Sequence, residues 1–153
     1  MKILGPDLQR PVDCEAVLRS LPTWFGFESA LRMYADDSAR LPGFALEDGG
    51  RLLGFVSLAE HFPHAWEVHC MALAADVRGQ GHGRRLLQHA EDWLRAQGVR
   101  VLQVKTLAAS HPDAGYAETR AFYAARGYVP LEVFSTLWST DHPALQLIKV
   151  LRA

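Results

Sequence analysis

Three glycines alternate through Arg78-Gly79-Gln80-Gly81-His82-Gly83-Arg84, and they stand where the hydrophobic period changes from that of a strand to that of a helix. Upstream, Trp66 to Leu73 alternates: Trp66, Val68, Cys70 and Ala72 are expected on one face, Glu67, His69, Met71 and Leu73 on the other. Downstream, from Arg84 to Gln97, apolar residues fall at Leu86, Leu87, Ala90, Trp93 and Leu94, which is helical spacing, and Gly98 makes a C-terminal cap. Glycine lets the backbone take positive φ angles and come close to a ligand. The free amides at the head of the following helix, together with the positive end of its dipole, suit an anion such as phosphate. Arg78, Arg84 and Arg85 add positive charge at the same place.

The remaining punctuation extends this strand–turn–helix unit into an α/β order. After a short opening strand, Asp13–Leu21 reads as a helix ended by Pro22, and Glu28–Ala39 as a second, closed by Pro42-Gly43. Strands at Phe44–Glu47 and Arg51–Ser57 flank the hairpin turn Asp48-Gly49-Gly50. Beyond Gly98 the pattern predicts a strand over Val99–Val104 and a helix over Ala117–Arg126 capped by Gly127. Strands over Tyr128–Phe134 and Gln146–Leu151 follow. No repeat, low-complexity tract or composition break marks a linker, so residues 1–153 are expected to form one domain.

Composition narrows the functional classes. The chain has 153 residues, of which 49% are apolar and 22% charged, so it is long and apolar enough to bury a core. Its formal net charge of −1, with both signs interleaved, argues against a mainly electrostatic nucleic-acid binder. Cys14 and Cys70 stand far apart in no metal or redox spacing. No signal-peptide pattern opens the chain and no apolar run reaches the ~18 residues a membrane span needs, so a cytoplasmic protein with no membrane partner is expected.

The glycine turn matches neither of two common phosphate sites. A nucleotide P-loop needs lysine followed by serine or threonine after its second glycine, and a dinucleotide fold needs an acidic residue ending the next strand, where Val104-Lys105-Thr106 stands. Taken alone, the stretch could be a turn with solvated arginines. However, Met71-Ala72-Leu73, a short linker and Arg78-Gly79-x-Gly81-x-Gly83 together resemble the pyrophosphate-binding motif of the GNAT N-acetyltransferase superfamily. Thr119-Arg120-Ala121-Phe122-Tyr123-Ala124-Ala125-Arg126-Gly127-Tyr128 resembles that superfamily's later motif, and the two occur in the expected order. The resemblance covers roughly Leu52 to Phe134.

The resemblance implies an α/β fold with a mixed, mostly antiparallel sheet of about six to seven strands flanked by about four helices. It also implies acetyl transfer from acetyl-CoA to a primary amine on a small molecule or peptide, by direct attack. Backbone amides over Arg78, Gly79, Gln80, Gly81, His82, Gly83 and Arg84 would hold the CoA pyrophosphate. Met71, Ala72 and Leu73 would line the pantetheine arm on a strand that splays from its neighbour. Phe122, Tyr123 and Tyr116 are placed in the same cofactor site by resemblance. Tyr116 stands seven residues before Tyr123, where many members carry asparagine. The loop Leu107–Gly115 before it is expected to shape the acceptor site.

Tyr123 matches the tyrosine proposed as general acid, a role suited to a thiolate leaving group whose thiol pKa is near ~8.5. The attacking alkylamine, with a pKa near ~10.4, is neutral in about one molecule in 10³ at pH 7, so a base or water relay assists. Glu67 is the favoured base, directly or through water, with His69 as relay or alternate. The alternative for both is a solvent-facing carboxylate and a hydrogen-bonded histidine.

Other groups carry weaker signals. Trp24, Phe25 and Phe27 lie between the first two helices, where aromatics could bind an apolar or cationic acceptor or simply join the core. Trp138, expected in a loop before the last strand, has the same two readings. Glu28, Asp36 and Asp37 would tolerate a cationic acceptor. His61-x-x-His64 with His69-Cys70 fits no standard zinc spacing, and Pro63 suggests a turn, so no metal is expected. The rival functional class is a non-catalytic acyl-CoA-binding module of the same fold. A homodimer is possible by the same resemblance, and a nucleic-acid-directed member is disfavoured by the charge balance.

Overall fold

A computed structural model describes residues 1–21 and 27–152 of the chain. In chain order the elements are β1 (Lys2–Leu4), α1 (Pro11–Arg19), α2 (Glu28–Asp37), β2 (Gly43–Asp48), β3 (Arg51–Phe62) and β4 (Ala65–Leu73). There follow a 3₁₀ turn (Ala75–Val77), α3 (His82–Ala96), β5 (Val101–Leu107), α4 (Ala114–Ala125), β6 (Val129–Ser139) and β7 (His142–Val150). The strands form one seven-stranded sheet in the order β1-β2-β3-β4-β5-β7-β6. Every neighbouring pair is antiparallel except β4–β5. This is the mixed, mostly antiparallel sheet with four helices that the family resemblance implies.

Local chemistry explains several boundaries. Pro11 opens α1, where its missing N–H costs no helical bond. Gly49 and Gly50, at φ 57° and 85°, make the two-residue turn between β2 and β3, a geometry open to few other residues. Asp113 caps α4, its Oδ1 accepting from the amides of Gly115 at 2.8 Å and Tyr116 at 3.3 Å. Helix α4 therefore begins at Ala114, three residues before the expected Ala117, and Tyr116 lies in its first turn rather than after a long loop. Helix α3 likewise starts at His82 instead of Arg84. Strand β3 runs on to Phe62, five residues past the expected end, because the β3–β4 hairpin continues its ladder to Phe62 opposite Ala65. Trp138 is in strand β6, not in a loop, and is exposed.

Two apolar clusters cover the two faces of the sheet. One gathers Leu86, Leu87 and Leu94 of α3, Tyr123 of α4, and Phe44, Val68, Leu102 and Val104 of the strands. The other gathers Cys14 and Leu18 of α1, Leu31 and Ala35 of α2, and Phe55, Cys70 and Ala72. Fully burying a side chain such as Leu18 or Phe55 contributes about 1.5–3 kcal/mol, so these clusters anchor the helices on the sheet.

Val68 and Cys70 fall in different clusters, which corrects the expectation that they share a face. The β3–β4 register pairs Ser57 with Cys70 but Leu58 with Val68. His69 is thus an extra residue on β4, a bulge that turns every later side chain to the opposite face. Met71 and Leu73 accordingly pack on the Val68 side. Among the described residues no helix is long and apolar enough to cross a membrane.

Candidate active site

The parallel ladder between β4 and β5 has four pairs, from Ala65 with Val101 to Val68 with Val104, and then stops. Beyond it β4 stays paired with β3 as far as Leu73, and β5 with β7 as far as Leu107. Each strand is held on its outer side while the inner edges of 69–73 and 105–107 carry no ladder to each other, which opens a slot. The side chain of Thr106 belongs to this stretch of β5; it is 4% exposed and its hydroxyl has no hydrogen-bond partner among the described residues. A buried polar group without a partner is costly, so this hydroxyl suits a polar ligand group in the slot.

Strand β4 leads from the slot into the glycine turn. Gly79 and Gly81 take φ 75° and 82°, conformations that L side chains rarely adopt, and a Cβ on either would meet nothing within 4 Å. Gly81 is the N-cap of α3 and no side chain caps the helix there, so its first amides have no side-chain partner. The Nδ1 atom of the next residue, His82, is buried without a partner. Gly83 differs from the other two: a Cβ there would stand 3.2 Å from Leu73 Cδ1 and 3.3 Å from Phe122 Cε1, so glycine lets α3 pack against β4 and α4. Burial lowers the pKa of Arg78, with Glu118 opposing the shift. Arg84, Gln88 and Glu91 of α3, with Arg126 and Lys149, line a cavity of about 280 Å³ that runs along α3.

Tyr123 comes to the slot from α4. It is 5% exposed, its hydroxyl lies 4.0 Å from Met71 Sδ, and its ring meets Phe122 and Tyr128 edge-on at 5.3 Å. Burial raises its pKa, so the phenol is held protonated. Tyr116 is pushed up to about 12, by burial first and then by Asp113, Tyr34 and Cys70.

The two β4 groups expected to take a proton stand in different surroundings. Glu67 accepts a hydrogen bond from Lys105 Nζ at 3.0 Å on Oε2 and from His61 Nε2 at 2.6 Å on Oε1. Lys105 reaches it because Glu67 pairs with Gln103, and Lys105, two residues on, projects to the same face. On the bulge, His69 Nε2 donates to Asp37 Oδ2 at 2.7 Å, and its ring packs edge-on against Tyr34 at 5.3 Å. Tyr34 is pushed up to about 12, mainly by burial.

The proposed acceptor groups are only partly assembled. Trp24 and Phe25 lie outside the described residues. Phe27 is exposed and meets the His142 ring edge-on at 5.3 Å; His142 in turn stacks on His111 at 5.5 Å. Glu28 is engaged by Arg19 and Arg32, which hold its carboxyl down to about 2. Asp37 is engaged by His69 and Arg40. The histidines of the rejected metal pattern part company: His64 Nδ1 donates to Gly98 O at 3.0 Å, while His61 and His69 bind separate carboxylates. Among the described residues no group of three or more His, Cys, Asp or Glu is placed to hold a metal ion.

Sequence reasoning did not single out Tyr34, Lys105 or Thr106, nor the tie between Asp37 and His69. Lys105 and Thr106 follow Val104 in β5, and the expectation of a splayed β4 could have pointed to them. Nothing local to Asp37 signals His69, which is 32 residues away.

Comparison with known proteins identifies the family and the fold. The model of the acetyltransferase (GNAT) family matches residues 14–128. No curated protein matches the sequence. Among solved structures, an acetyltransferase of the GNAT family from Desulfovibrio desulfuricans superposes with a TM-score of 0.82 at 17% identity, covering 99% of both chains. An aminoglycoside 6'-N-acetyltransferase complexed with coenzyme A gives 0.79 at 18% identity, over 100% of this chain and 98% of the other. The ribosomal-protein-S18-alanine N-acetyltransferase from Escherichia coli gives 0.79 at 19% identity, over 99% and 94%. At such identities the likeness establishes the fold. The family match, which runs from α1 through the glycine turn and past Tyr123, establishes more: the chain belongs to the acetyltransferase (GNAT) family and is an acyl-CoA-dependent N-acetyltransferase.

Proposed function

We propose that this enzyme transfers acetyl from acetyl-CoA to a primary amine of a small molecule or a peptide N-terminus by direct attack. The supporting observation is the slot itself. The β4–β5 ladder ends at Val68, β4 continues into a glycine turn at the head of α3, and Tyr123 stands against the same strand. The residues present fit CoA: open left-handed glycines and uncapped amides for its pyrophosphate, unpaired strand edges and the Thr106 hydroxyl for its amide-bearing arm.

When bound, acetyl-CoA supplies a thioester: a C–N bond forms with the amine, the C–S bond breaks, and acetamide and CoA thiol are released. The 78–84 turn holds phosphate through its amides, and Met71 to Leu73 present backbone groups along the slot. An N–H aimed at the carbonyl oxygen from that strand stabilises the charge that develops there. Tyr123, kept protonated by burial, gives its proton to the departing sulfur. Glu67 and His69 form the proton-accepting side for the amine. Phe27, with His111 and His142, borders the acceptor mouth.

Titration calorimetry of acetyl-CoA against wild type and Gly81→Glu tests the reading. The variant places bulk and negative charge in the phosphate cradle at a left-handed position. Micromolar-range binding, lost in a folded variant, supports it. A folded wild-type protein that takes up no acetyl-CoA overturns it. Kanamycin, as an aminoglycoside, and an alanine-initiated peptide represent the two acceptor classes that the similar structures name and are the first to assay.

A further inference from the structure

The proton-accepting side of the slot holds two candidate bases, and their hydrogen bonds distinguish them. Both oxygens of Glu67 are engaged, one by the Lys105 ammonium and one by His61, and its side chain is 14% exposed. A proton arriving there must compete with a cation for Oε2 or with an N–H for Oε1. The Glu67–Lys105 pair also crosses from β4 to β5 where the ladder ends, so it ties together the fork of the two strands.

His69 is differently arranged. The Asp37 carboxylate only accepts, so the Nε2–H of His69 must be the donor. In the neutral ring that leaves the lone pair on Nδ1. This atom has no partner among the described residues, and it is not among the buried polar atoms left without one. The ring is 24% exposed whereas Asp37 is 10% exposed, so the dyad presents its imidazole outward and keeps its carboxylate inside. Position reinforces this. His69 is the first residue of β4 past the last parallel pair, and its bulge turns the strand's side chains at the mouth of the slot. Tyr34 packs on the ring from α2, and Arg40 holds the second oxygen of Asp37 at 2.5 Å.

We propose that Asp37 is a positioning residue that fixes His69 as the Nε2–H tautomer, so that His69 Nδ1, rather than the Glu67 carboxylate, accepts the proton of the attacking amine. The proposal rests on the acetyl-transfer reading. The amine N–H bond gives its proton to Nδ1, the resulting imidazolium is balanced by Asp37, and solvent later removes the proton. A carboxylate behind an imidazole serves this purpose elsewhere, setting tautomer and orientation without itself taking the proton. Glu67 then acts through Lys105 as the clamp of the fork.

The test is ¹⁵N NMR of histidine-labelled protein at about pH 9, above the ordinary histidine range, with His69→Gln assigning the signal. Wild type is expected to show a protonated Nε2 and a bare Nδ1. Asp37→Asn, whose amide can present either a donor or an acceptor, should mix the tautomers. Glu67→Gln and Arg40→Ala should leave the His69 pattern as in wild type, which separates a specific partner from a general disturbance of the α2 end. With whichever of kanamycin or the alanyl peptide is acetylated, Asp37→Asn should lower kcat at least about tenfold while the KM for acetyl-CoA holds. An Nδ1–H tautomer in wild type, or an unchanged pattern in folded Asp37→Asn, overturns the proposal, even if neither acceptor turns over. Loss of turnover in Glu67→Gln with Asp37→Asn fully active also overturns it. Failure of acetyl-CoA to bind would instead strike the acetyl-transfer reading, leaving the tautomer result to stand on its own.

Discussion

The hydroxyl of Tyr123 lies 4.0 Å from the sulfur of Met71, so α4 leans on β4 at the strand segment that has left its parallel partner. Thioether sulfur is a weak acceptor, and the phenol is otherwise enclosed by Phe122 and Tyr128. The group is thus protonated, buried and only loosely bonded within the protein.

Tyr123→Phe should therefore remove function without disturbing the fold. Steady-state kinetics are expected to show turnover reduced about 100-fold, the size of a general-acid contribution, with acetyl-CoA affinity unchanged. The thermal unfolding midpoint should stay close to that of wild type, because only a weak contact is lost. A fall in affinity equal to the fall in turnover would assign the hydroxyl to binding instead.

Alkaline pH should act on the whole fold. The sequence contains four tyrosines, and all four titrate above the ordinary value of 10.0: Tyr34 and Tyr116 near 12, Tyr123 and Tyr128 shifted in the same direction, with burial the largest cause each time. The unfolded chain then loses these protons first. The tyrosine contribution to stability is full below about 10 and declines as pH rises from there through about 12; the buried thiols of Cys14 and Cys70, also raised by burial, begin to add to the loss from about 9. Absorbance at 295 nm should show little tyrosinate in the folded protein at pH 10–11, then a cooperative rise that coincides with loss of circular dichroism. A gradual, non-cooperative titration centred near 10 would contradict the buried placement.

Glu91 offers a test of how α3 is held. It is 1% exposed on a largely apolar helix face; Tyr128 donates to one oxygen and Lys149 to the other, both at 2.7 Å. Tyr128→Phe should cost about 1–2 kcal/mol in urea unfolding, since a hydrogen bond to a buried charged group is lost. Lys149→Met, which leaves the carboxylate without its cation, should cost more, about 3 kcal/mol. A neutral Lys149→Met would show that Arg95, 3.6 Å from the same carboxylate, compensates alone.

Much of the architecture is written locally. The order of elements, the Gly49-Gly50 hairpin and the amphipathic face of α3 depend on residues adjacent in sequence, through hydrophobic period and the left-handed angles glycine accepts. The glycine turn and Tyr123 were visible for the same reason, because each motif is a contiguous run. The early start of α4 was also open to reading, since Asp113 is a strong N-cap residue.

What the sequence determined by itself, then, was the identity and order of the pieces and the place of the glycine turn. Tertiary structure alone decided that the β4–β5 ladder ends at Val68, that a bulge at His69 puts Val68 and Cys70 in opposite cores, and that Asp37 and Lys105 meet His69 and Glu67. Strand alternation predicts a face only while register holds, and register is set by the partner strands rather than by the strand itself. Contacts spanning 32 and 38 residues leave no local pattern, because they exist only once α2, β4 and β5 have been packed together.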